Sequence, residues 1–255
     1  MMRHCVFAAV AAVLLTAGAA AAPVPSYIKA AVSDPLRPVA DTKVDAERKP
    51  AAMLVFAGIK PGMHVMDMIP GGGYFTRLFA KAVGPTGWVY SFQPVELDHF
   101  FKDAKPPIYA VAAEYPNVSV IHAPINKLTA PEALDVVWTS QNYHDLKDPF
   151  FAPADTALVN KAVYDALKPG GIYIVLDHSA PKGSGISDTN TLHRIDEAVV
   201  KKEVEAAGFK LIGESNVLRN PKDKRTLKVF DPAIRGHTDQ FILKFQKPMK
   251  QAAKH

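Results

Sequence analysis

The chain has 255 residues, of which 48% are hydrophobic and 22% charged, and its formal net charge at pH 7 is +5. This composition is typical of an ordinary globular protein with one domain near the upper end of the usual size range. Basic residues are scattered except near the C-terminus, and aromatic residues do not alternate with them there. We therefore expect no nucleic-acid partner.

The first residues are typical of an export signal. A positively charged start precedes an apolar run over residues 5–17 and a string of alanines. We predict a signal peptide over residues 1–21, cleaved after Ala21, and a periplasmic or secreted product without a stable membrane span. The apolar run is short for a membrane span. The alternative is that the segment is not cleaved and anchors the protein in the membrane. The only cysteine, Cys5, lies in this segment, so the mature chain offers no disulfide and no cysteine metal ligand.

The mature chain divides into an arm over residues 22–49, a domain over 50–248 and a basic tail over 249–255. The arm is rich in proline and charge, and a helix from Pro50 to Phe56 follows it. The arm's charged residues either form a solvated face or belong to the family leader described below: Arg37, Asp41, Asp45, Arg48 and Lys49.

The sequence MHVMDMIPGGGYFT, residues 63–76, predicts a buried strand, a glycine-rich turn and a helix. The strand over 64–69 is apolar except for Asp67, which suits the centre of a parallel sheet. Three glycines permit positive φ and leave no Cβ in a ligand's way, and the helix from Tyr74 directs free N–H groups at the same space. We therefore predict a nucleotide-sized site around Gly71, Gly72 and Gly73, where a side chain at Gly73 would block the ligand while the fold survives. A purely structural turn is the alternative.

The spacing of the glycines shows which nucleotide-binding motifs the sequence can match. A dinucleotide fingerprint would need glycine where Thr76 stands, and the phosphate loop is absent. The run from Asp67 to Gly73 resembles motif I of the class I S-adenosylmethionine (SAM)-dependent methyltransferases, D-x-G-x-G-x-G, with Ile69 at its first glycine. It looks most similar to predicted bacterial methyltransferases that carry a signal peptide, and the resemblance covers residues 37–247. The charged residues of the arm look like the leader segment of the same group. It implies SAM as cofactor, with Asp67 and the three glycines around its methionine half and Tyr74 also at the cofactor.

A second strand, Trp88 to Phe92, completes a βαβ unit after the helix Tyr74 to Val83. In the resembling family an acidic residue ends this strand and binds the ribose hydroxyls. Gln93 stands there, and an amide lacks the charge-assisted strength of a carboxylate. The resemblance therefore places either Gln93 or Glu96 at the ribose.

Two further strands are predicted over residues 118–122 and 133–140, and a polar loop follows the second. The resemblance puts cofactor-edge and substrate-facing residues in this loop, and we predict Gln141 and Asn142 at the cofactor. His144 is the predicted general base, because a neutral imidazole is best suited to accept a proton near pH 7. The alternative is a turn whose polar groups are hydrogen-bonded within the protein and which has no function.

The remaining pattern predicts a helix over 156–167, a turn at Lys168-Pro169-Gly170-Gly171 and a strand over 172–177. A helix over 193–207 and strands over 210–214 and 241–245 follow. The connection 215–240 is long enough for a lid, and a solvated loop is the alternative. Its positive charge would suit an acidic acceptor; the residues are Arg219, Lys222, Lys224, Arg225, Lys228 and Arg235.

These elements predict an α/β fold, a Rossmann-like doubly wound sheet of about seven strands, mostly parallel with an antiparallel last strand. Its strand ends gather Asp67, Gln93, His122, His144, Asp145, Asp177 and His178. We weighed a metal site from the last five and predict none, because no pair has metal-ligand spacing. The absent G-x-S-x-G elbow argues against a hydrolase.

The resemblance implies methyl transfer from SAM to a small-molecule acceptor. We predict His144 as the base, with Asp177 and His178 as the next candidates. The alternative is an exported ligand-binding protein that keeps the fold without turnover, because SAM is made in the cytoplasm. The sequence leaves the acceptor and the oligomeric state open.

Overall fold

The computed structural model describes residues 23–102, 104–151 and 154–249. The expected signal peptide and most of the basic tail lie outside these ranges. No helix within them has the length and apolar character needed to cross a lipid bilayer.

Seven strands form one sheet within the described ranges. They are β1 His64–Met68, β2 Trp88–Pro94, β3 Val118–Ala123, β4 Leu134–Ser140, β5 Leu167–His178, β6 Lys210–Ser215 and β7 Gln240–Gln246. The spatial order is β3-β2-β1-β4-β5-β7-β6. Strands β1 to β5 pair in parallel, and β7 pairs antiparallel with both β5 and β6. The predicted fold class is therefore confirmed, including the antiparallel last strand.

Helices cover both faces of the sheet. They are α1 Ser26–Val32, α2 Val39–Thr42, α3 Asp45–Arg48, α4 Pro50–Ala57, α5 Tyr74–Val83, α6 Ile108–Glu114, α7 Thr156–Ala166, α8 Thr189–Leu192 and α9 Glu197–Ala206. Val65 of β1 packs in the core shared with α1, α4, α5 and α6. Met66 and Met68 pack in the other core, with α7 and α9. Because β1 is covered on both faces, its sequence is nearly all apolar.

Two predicted elements differ from the structure. Lys168-Pro169-Gly170-Gly171 is not a turn before β5 but part of that strand, where the Gly170 N–H donates to the Lys247 carbonyl at 2.9 Å. The predicted helix over 193–207 begins only at Glu197, because the Asp196 side chain caps it by accepting from the Ala198 N–H. His193 instead ends α8 with a left-handed backbone, φ 55°.

Candidate active site

The order of the strands fixes where a ligand can bind. Strand order reverses between β1 and β4, and open α/β sheets bind ligands beside the carboxyl ends of strands at such a point. A cavity of about 570 Å³ lies there, within the usual range for small-molecule sites. The glycine turn, the loop after β4, the arm and the 216–239 connection all contribute to its wall.

The glycine turn is strained at the residue that replaces the family's first glycine. Ile69 has φ 62°, a conformation that a β-branched residue rarely adopts. The Asn142 side-chain amide donates to the Ile69 carbonyl at 3.0 Å and to the Ser140 carbonyl at 2.7 Å. The loop after β4 therefore holds the turn in place, which gives Asn142 a structural role at the cavity wall.

The three glycines of the turn differ in what surrounds them. A Cβ on Gly71 or Gly72 would meet nothing within 4 Å, and both residues line the cavity. A Cβ on Gly73 would lie 2.7 Å from Val111 and 3.3 Å from Ile108, both on α6. The prediction that a side chain at Gly73 would block the ligand and spare the fold is wrong, because this glycine is needed for close packing of helices.

Asp67 forms part of the cavity floor and is almost fully buried. Its Oδ2 accepts a 2.6 Å hydrogen bond from the hydroxyl of Thr76, the residue that breaks the dinucleotide fingerprint. Burial raises the pKa of Asp67 to about 6, and the Thr76 hydrogen bond and the positive charge of Arg48 only partly oppose this.

Several charged residues of the arm are paired within the protein and do not form a solvated face, which was one of the two alternatives that the sequence left open. Arg37 is buried and forms a two-armed ion pair with Asp45, whose Oδ1 also accepts from the Tyr74 hydroxyl at 2.6 Å. Asp41 pairs with Arg77 of α5 at 3.1 Å. These contacts dock the arm on the helix that follows the glycine turn, and Tyr74 lies in the cavity wall.

Arg48 is a charged residue of the cavity wall for which the sequence pattern predicted no role in ligand binding. Its guanidinium lies over the rings of Tyr74 and Phe75, 4.2 and 5.0 Å from their centroids, and donates to Ser140 Oγ at 3.4 Å. Among the residues that the structure describes, no carboxylate forms an ion pair with it. The cavity thus holds a guanidinium that can still form an ion pair with an anionic group of a ligand.

The predicted ribose residues do not line this cavity. Gln93 is 1% exposed, and its amide makes only a long 3.4 Å contact with the Pro94 carbonyl. The Glu96 carboxylate accepts from the Ile125 N–H at 3.0 and 3.1 Å and so ties β2 to the segment after β3. Leu97, Phe100 and Phe150 form an apolar wall at this end instead.

His144 is surrounded by carboxylates. Its Nδ1 lies 2.8 Å from Asp177 Oδ1 and its Nε2 lies 3.1 Å from Asp145 Oδ1. Burial lowers the pKa of His144, but the two carboxylates outweigh burial and raise it to about 10. The raised pKa favours the protonated imidazole, so these contacts do not support a neutral general base, and that role stays a prediction.

The other predicted catalytic residues occupy different positions. Asp177 is completely buried behind His144 and does not line the cavity, so it can position the imidazole but cannot touch a substrate. His178 does line the cavity, and its Nδ1 is 2.8 Å from Thr238 Oγ1. Burial lowers the pKa of His178 to about 3, so it is neutral but weakly basic. His122 is exposed and pairs with Asp98 away from the cavity.

A second cavity, of about 320 Å³, adjoins the first and shares Arg48, Gln141 and His178 with it. Gln141 has φ 63° and donates to Gln240 Oε1 at 2.9 Å. The 216–239 connection supplies apolar groups to this wall, among them Leu218 and Val229.

Much of the connection's positive charge is paired within the protein. Arg219 and Arg225 both bind Asp239, at 3.3 and 2.8 Å. Of the six basic residues predicted to attract an acidic acceptor, Arg235 alone lines either of these two described cavities. The charge of the connection is therefore a weaker argument for an acidic acceptor than the sequence indicated.

Comparison with known proteins identifies the fold. No protein-family model matches the chain. The sequence is 29% identical over 182 residues to the ubiquinone/menaquinone biosynthesis C-methyltransferase UbiE of Ectopseudomonas mendocina, which covers 68% of this chain and 64% of that protein. The chain thus spans less than two thirds of the length of the curated relatives it matches.

Solved structures share the architecture. A SAM-dependent methyltransferase from Aquifex aeolicus superposes with a TM-score of 0.57 at 18% identity, over 81% of this chain and 98% of that one. The [4+2]-cyclase SpnF superposes with a TM-score of 0.58 at 17% identity, over 80% and 81%. The chain therefore has the class I methyltransferase fold, and a protein named for a different reaction has it too.

Proposed function

We propose that this protein is a SAM-dependent methyltransferase that acts on a small acceptor. The observation that carries the proposal is Arg48, a cation without an ion-pair partner among the described residues, held in a cavity whose glycine turn is open to a ligand. The relationship to a C-methyltransferase and the fold support the same activity.

The cavity residues fit the parts of SAM. Arg48 would bind the methionine carboxylate, and the Gly71 and Gly72 backbone leaves room for the chain that joins methionine to ribose. Leu97, Phe100 and Phe150 would hold the adenine against apolar surface. When bound, SAM supplies a methyl group on a positively charged sulfur, ready for attack by a nucleophile.

The adjoining 320 Å³ cavity would hold the acceptor. Its mixed wall, with Phe75, Leu218 and Val229 beside Arg235, suits a small molecule that has both an apolar part and a polar group. Positioning would dominate the chemistry, because holding a nucleophile in line with the methyl group removes much of the barrier.

We also propose that the protein is exported, on the strength of the signal pattern in residues 1–21. An exported enzyme would need a supply of SAM outside the cytoplasm. The alternative of a binding protein without turnover draws on the same pattern, and a turnover measurement separates the two.

The test is calorimetric titration of the chain lacking residues 1–21 with SAM. We expect binding in the micromolar to sub-millimolar range, and a loss of at least about tenfold in Arg48→Met, which keeps an unbranched apolar stem but removes the charged guanidinium. Transfer of a labelled methyl group to a small-molecule extract would then establish turnover. Absence of SAM binding at millimolar concentration would overturn the proposal.

A further inference from the structure

Three side chains that can bind a metal ion meet at one end of the larger cavity. His144, Asp145 and His193 all line it. His144 Nε2 lies 3.1 Å from Asp145 Oδ1 and 3.4 Å from His193 Nδ1, and His193 Nδ1 lies 4.0 Å from the same carboxylate oxygen. The sequence indicated His144 and Asp145 among possible metal ligands but not His193, which is distant in the chain and was predicted to begin a helix.

The three distances suit a common ion. All three atoms lie within 4.8 Å of one another, which is close enough for one ion to bind them with bonds of about 2.0–2.2 Å, the length of a zinc bond to imidazole or carboxylate. A site made of two imidazole nitrogens and one carboxylate oxygen binds first-row transition metals in preference to calcium or magnesium.

The backbone presents these ligands from two segments that pack together. His144 and Asp145 begin a 3-10 turn after β4, and His193 follows the short helix α8, whose residues contact that turn. The left-handed conformation of His193 ends α8 at this position. Side-chain exposures of 17% for Asp145 and 19% for His193 leave both groups accessible from the cavity.

The His144 ring is fixed by an outer partner of the kind that metal-binding histidines have. Asp177 Oδ1 lies 2.8 Å from His144 Nδ1, while Asp177 Oδ2 accepts from the His144 backbone N–H at 2.8 Å. Asp177 Oδ1 also accepts from the His178 N–H at 2.7 Å. These bonds hold Nε2 toward Asp145 and His193 and favour the tautomer that binds metal through Nε2.

We propose that His144 Nε2, Asp145 Oδ1 and His193 Nδ1 bind one divalent first-row transition-metal ion. Three protein ligands leave further coordination positions, and the cavity is the space beside them. An acceptor with a hydroxyl or carboxylate oxygen would bind at such a position. This last step rests on the proposed methyltransferase function, whereas the metal site itself does not.

The competing explanation for the closeness of these three side chains is hydrogen bonding alone. In that case His144 is protonated and no ion binds. A titration with Co²⁺, followed by its ligand-field absorption, separates the two explanations. It uses the tag-free chain lacking residues 1–21, treated with chelator and dialysed, without SAM. We expect one bound ion per chain, displaced by Zn²⁺.

Substitutions test whether the ion binds at these residues. His193→Ala and Asp145→Ala should each lower the Co²⁺ affinity at least about tenfold, because outer-partner changes alone cost 10- to 100-fold. His122→Ala is the matched control: its imidazole pairs with Asp98 at 2.9 Å, outside the cavity. This variant should bind Co²⁺ as the unchanged chain does. The thermal unfolding midpoint of each variant shows that it is folded.

Three results would overturn the proposal: no ligand-field absorption at millimolar Co²⁺, equal affinity in all variants, or loss of affinity in His122→Ala as well. Because SAM is absent from the titration, its outcome is independent of SAM binding. If the chain binds Co²⁺ but not SAM, the metal site is supported and the proposed methyltransferase function is overturned. If it binds SAM but not Co²⁺, the function is supported and the metal site is overturned.

Discussion

The Asn142 side chain joins the loop after β4 to the strained residue of the glycine turn, through a 3.0 Å hydrogen bond to the Ile69 carbonyl. Asn142→Ala should lower the free energy of unfolding by about 1–3 kcal/mol, because two partly buried carbonyls lose their donor. It should also weaken SAM binding, since the turn lines the cavity. Chemical denaturation and calorimetry measure the two effects.

Asn117→Ala is the matched control for that variant. The Asn117 amide also donates to two backbone carbonyls, those of Ala80 at 2.9 Å and Gly84 at 3.0 Å, but it lies away from the cavity. We expect a similar loss of stability with SAM affinity unchanged. Equal losses of affinity in both variants would show that the Asn142 contact has no special effect on the turn.

Gly72→Val and Gly73→Val should have opposite consequences. At Gly72 the new side chain enters open space in the cavity wall, so the fold should survive and SAM affinity should fall. At Gly73 the backbone has φ 79° and Val111 lies 2.7 Å from the new Cβ, so the variant should lose at least about 1–3 kcal/mol of stability. Denaturation and calorimetry on both variants check this, and undiminished SAM binding in a folded Gly72→Val would contradict the site.

The buried carboxyl of Asp67 should make stability depend on pH. Burial raises its pKa from the ordinary 3.8 to about 6 in the folded chain, so the folded state holds this proton more tightly than the unfolded state. This group's contribution to stability is therefore greatest below pH 4 and is lost as pH rises to about 6. Asp67→Asn should remove the loss, on the order of 3 kcal/mol.

Free energies of unfolding between pH 4 and 8 test this, taken as the difference between the unchanged chain and Asp67→Asn. Other titrating groups contribute to both proteins and largely cancel. We expect the variant to gain relative stability as pH rises through this window. A difference that stays constant with pH would show that Asp67 does not titrate there.

The buried ion pair of Arg194 and Asp223 should hold the 216–239 connection on the domain. The Arg194 guanidinium is completely buried and donates to Asp223 Oδ2 at 2.8 Å, to the Ser179 carbonyl at 3.1 Å and to the Leu227 carbonyl at 3.0 Å. Asp223→Ala leaves this charge without its carboxylate and should cost about 3–5 kcal/mol. Limited proteolysis within residues 216–239 should accelerate.

Asp165→Ala serves as the control, because it breaks the exposed Lys161–Asp165 pair. We expect a change of at most about 0.5 kcal/mol and no change in proteolysis. If Asp223→Ala resists proteolysis as well as the unchanged chain does, then the ion pair does not anchor the connection. Protection of that segment by SAM would support the lid hypothesis.

Mass spectrometry of protein from the periplasm or medium should give an N-terminus at Ala22. The expectation follows from the charged start, the apolar run and the alanines of residues 1–21. An intact Met1 in the membrane fraction would instead support the uncleaved anchor.

The sequence by itself determined the fold class and the position of the glycine turn. Apolar runs, proline and glycine act over a few residues, so β1, the turn and α5 follow from residues 63–83 alone. The parallel order then places the carboxyl ends of the strands at one edge. Local chemistry also predicted α4, which begins at Pro50 and ends at Ala57, directly before Gly58.

Only the tertiary structure decided which side chains occupy that edge. Arg48 enters the cavity because the arm docks on α5, and Gly73 is needed because α6 crosses behind it. His193 reaches His144 because α8 packs on the turn after β4. Each of these contacts joins residues at least 26 positions apart, counted between Arg48 and Tyr74. Local sequence patterns carry no information about such pairs, since packing of whole elements brings them together.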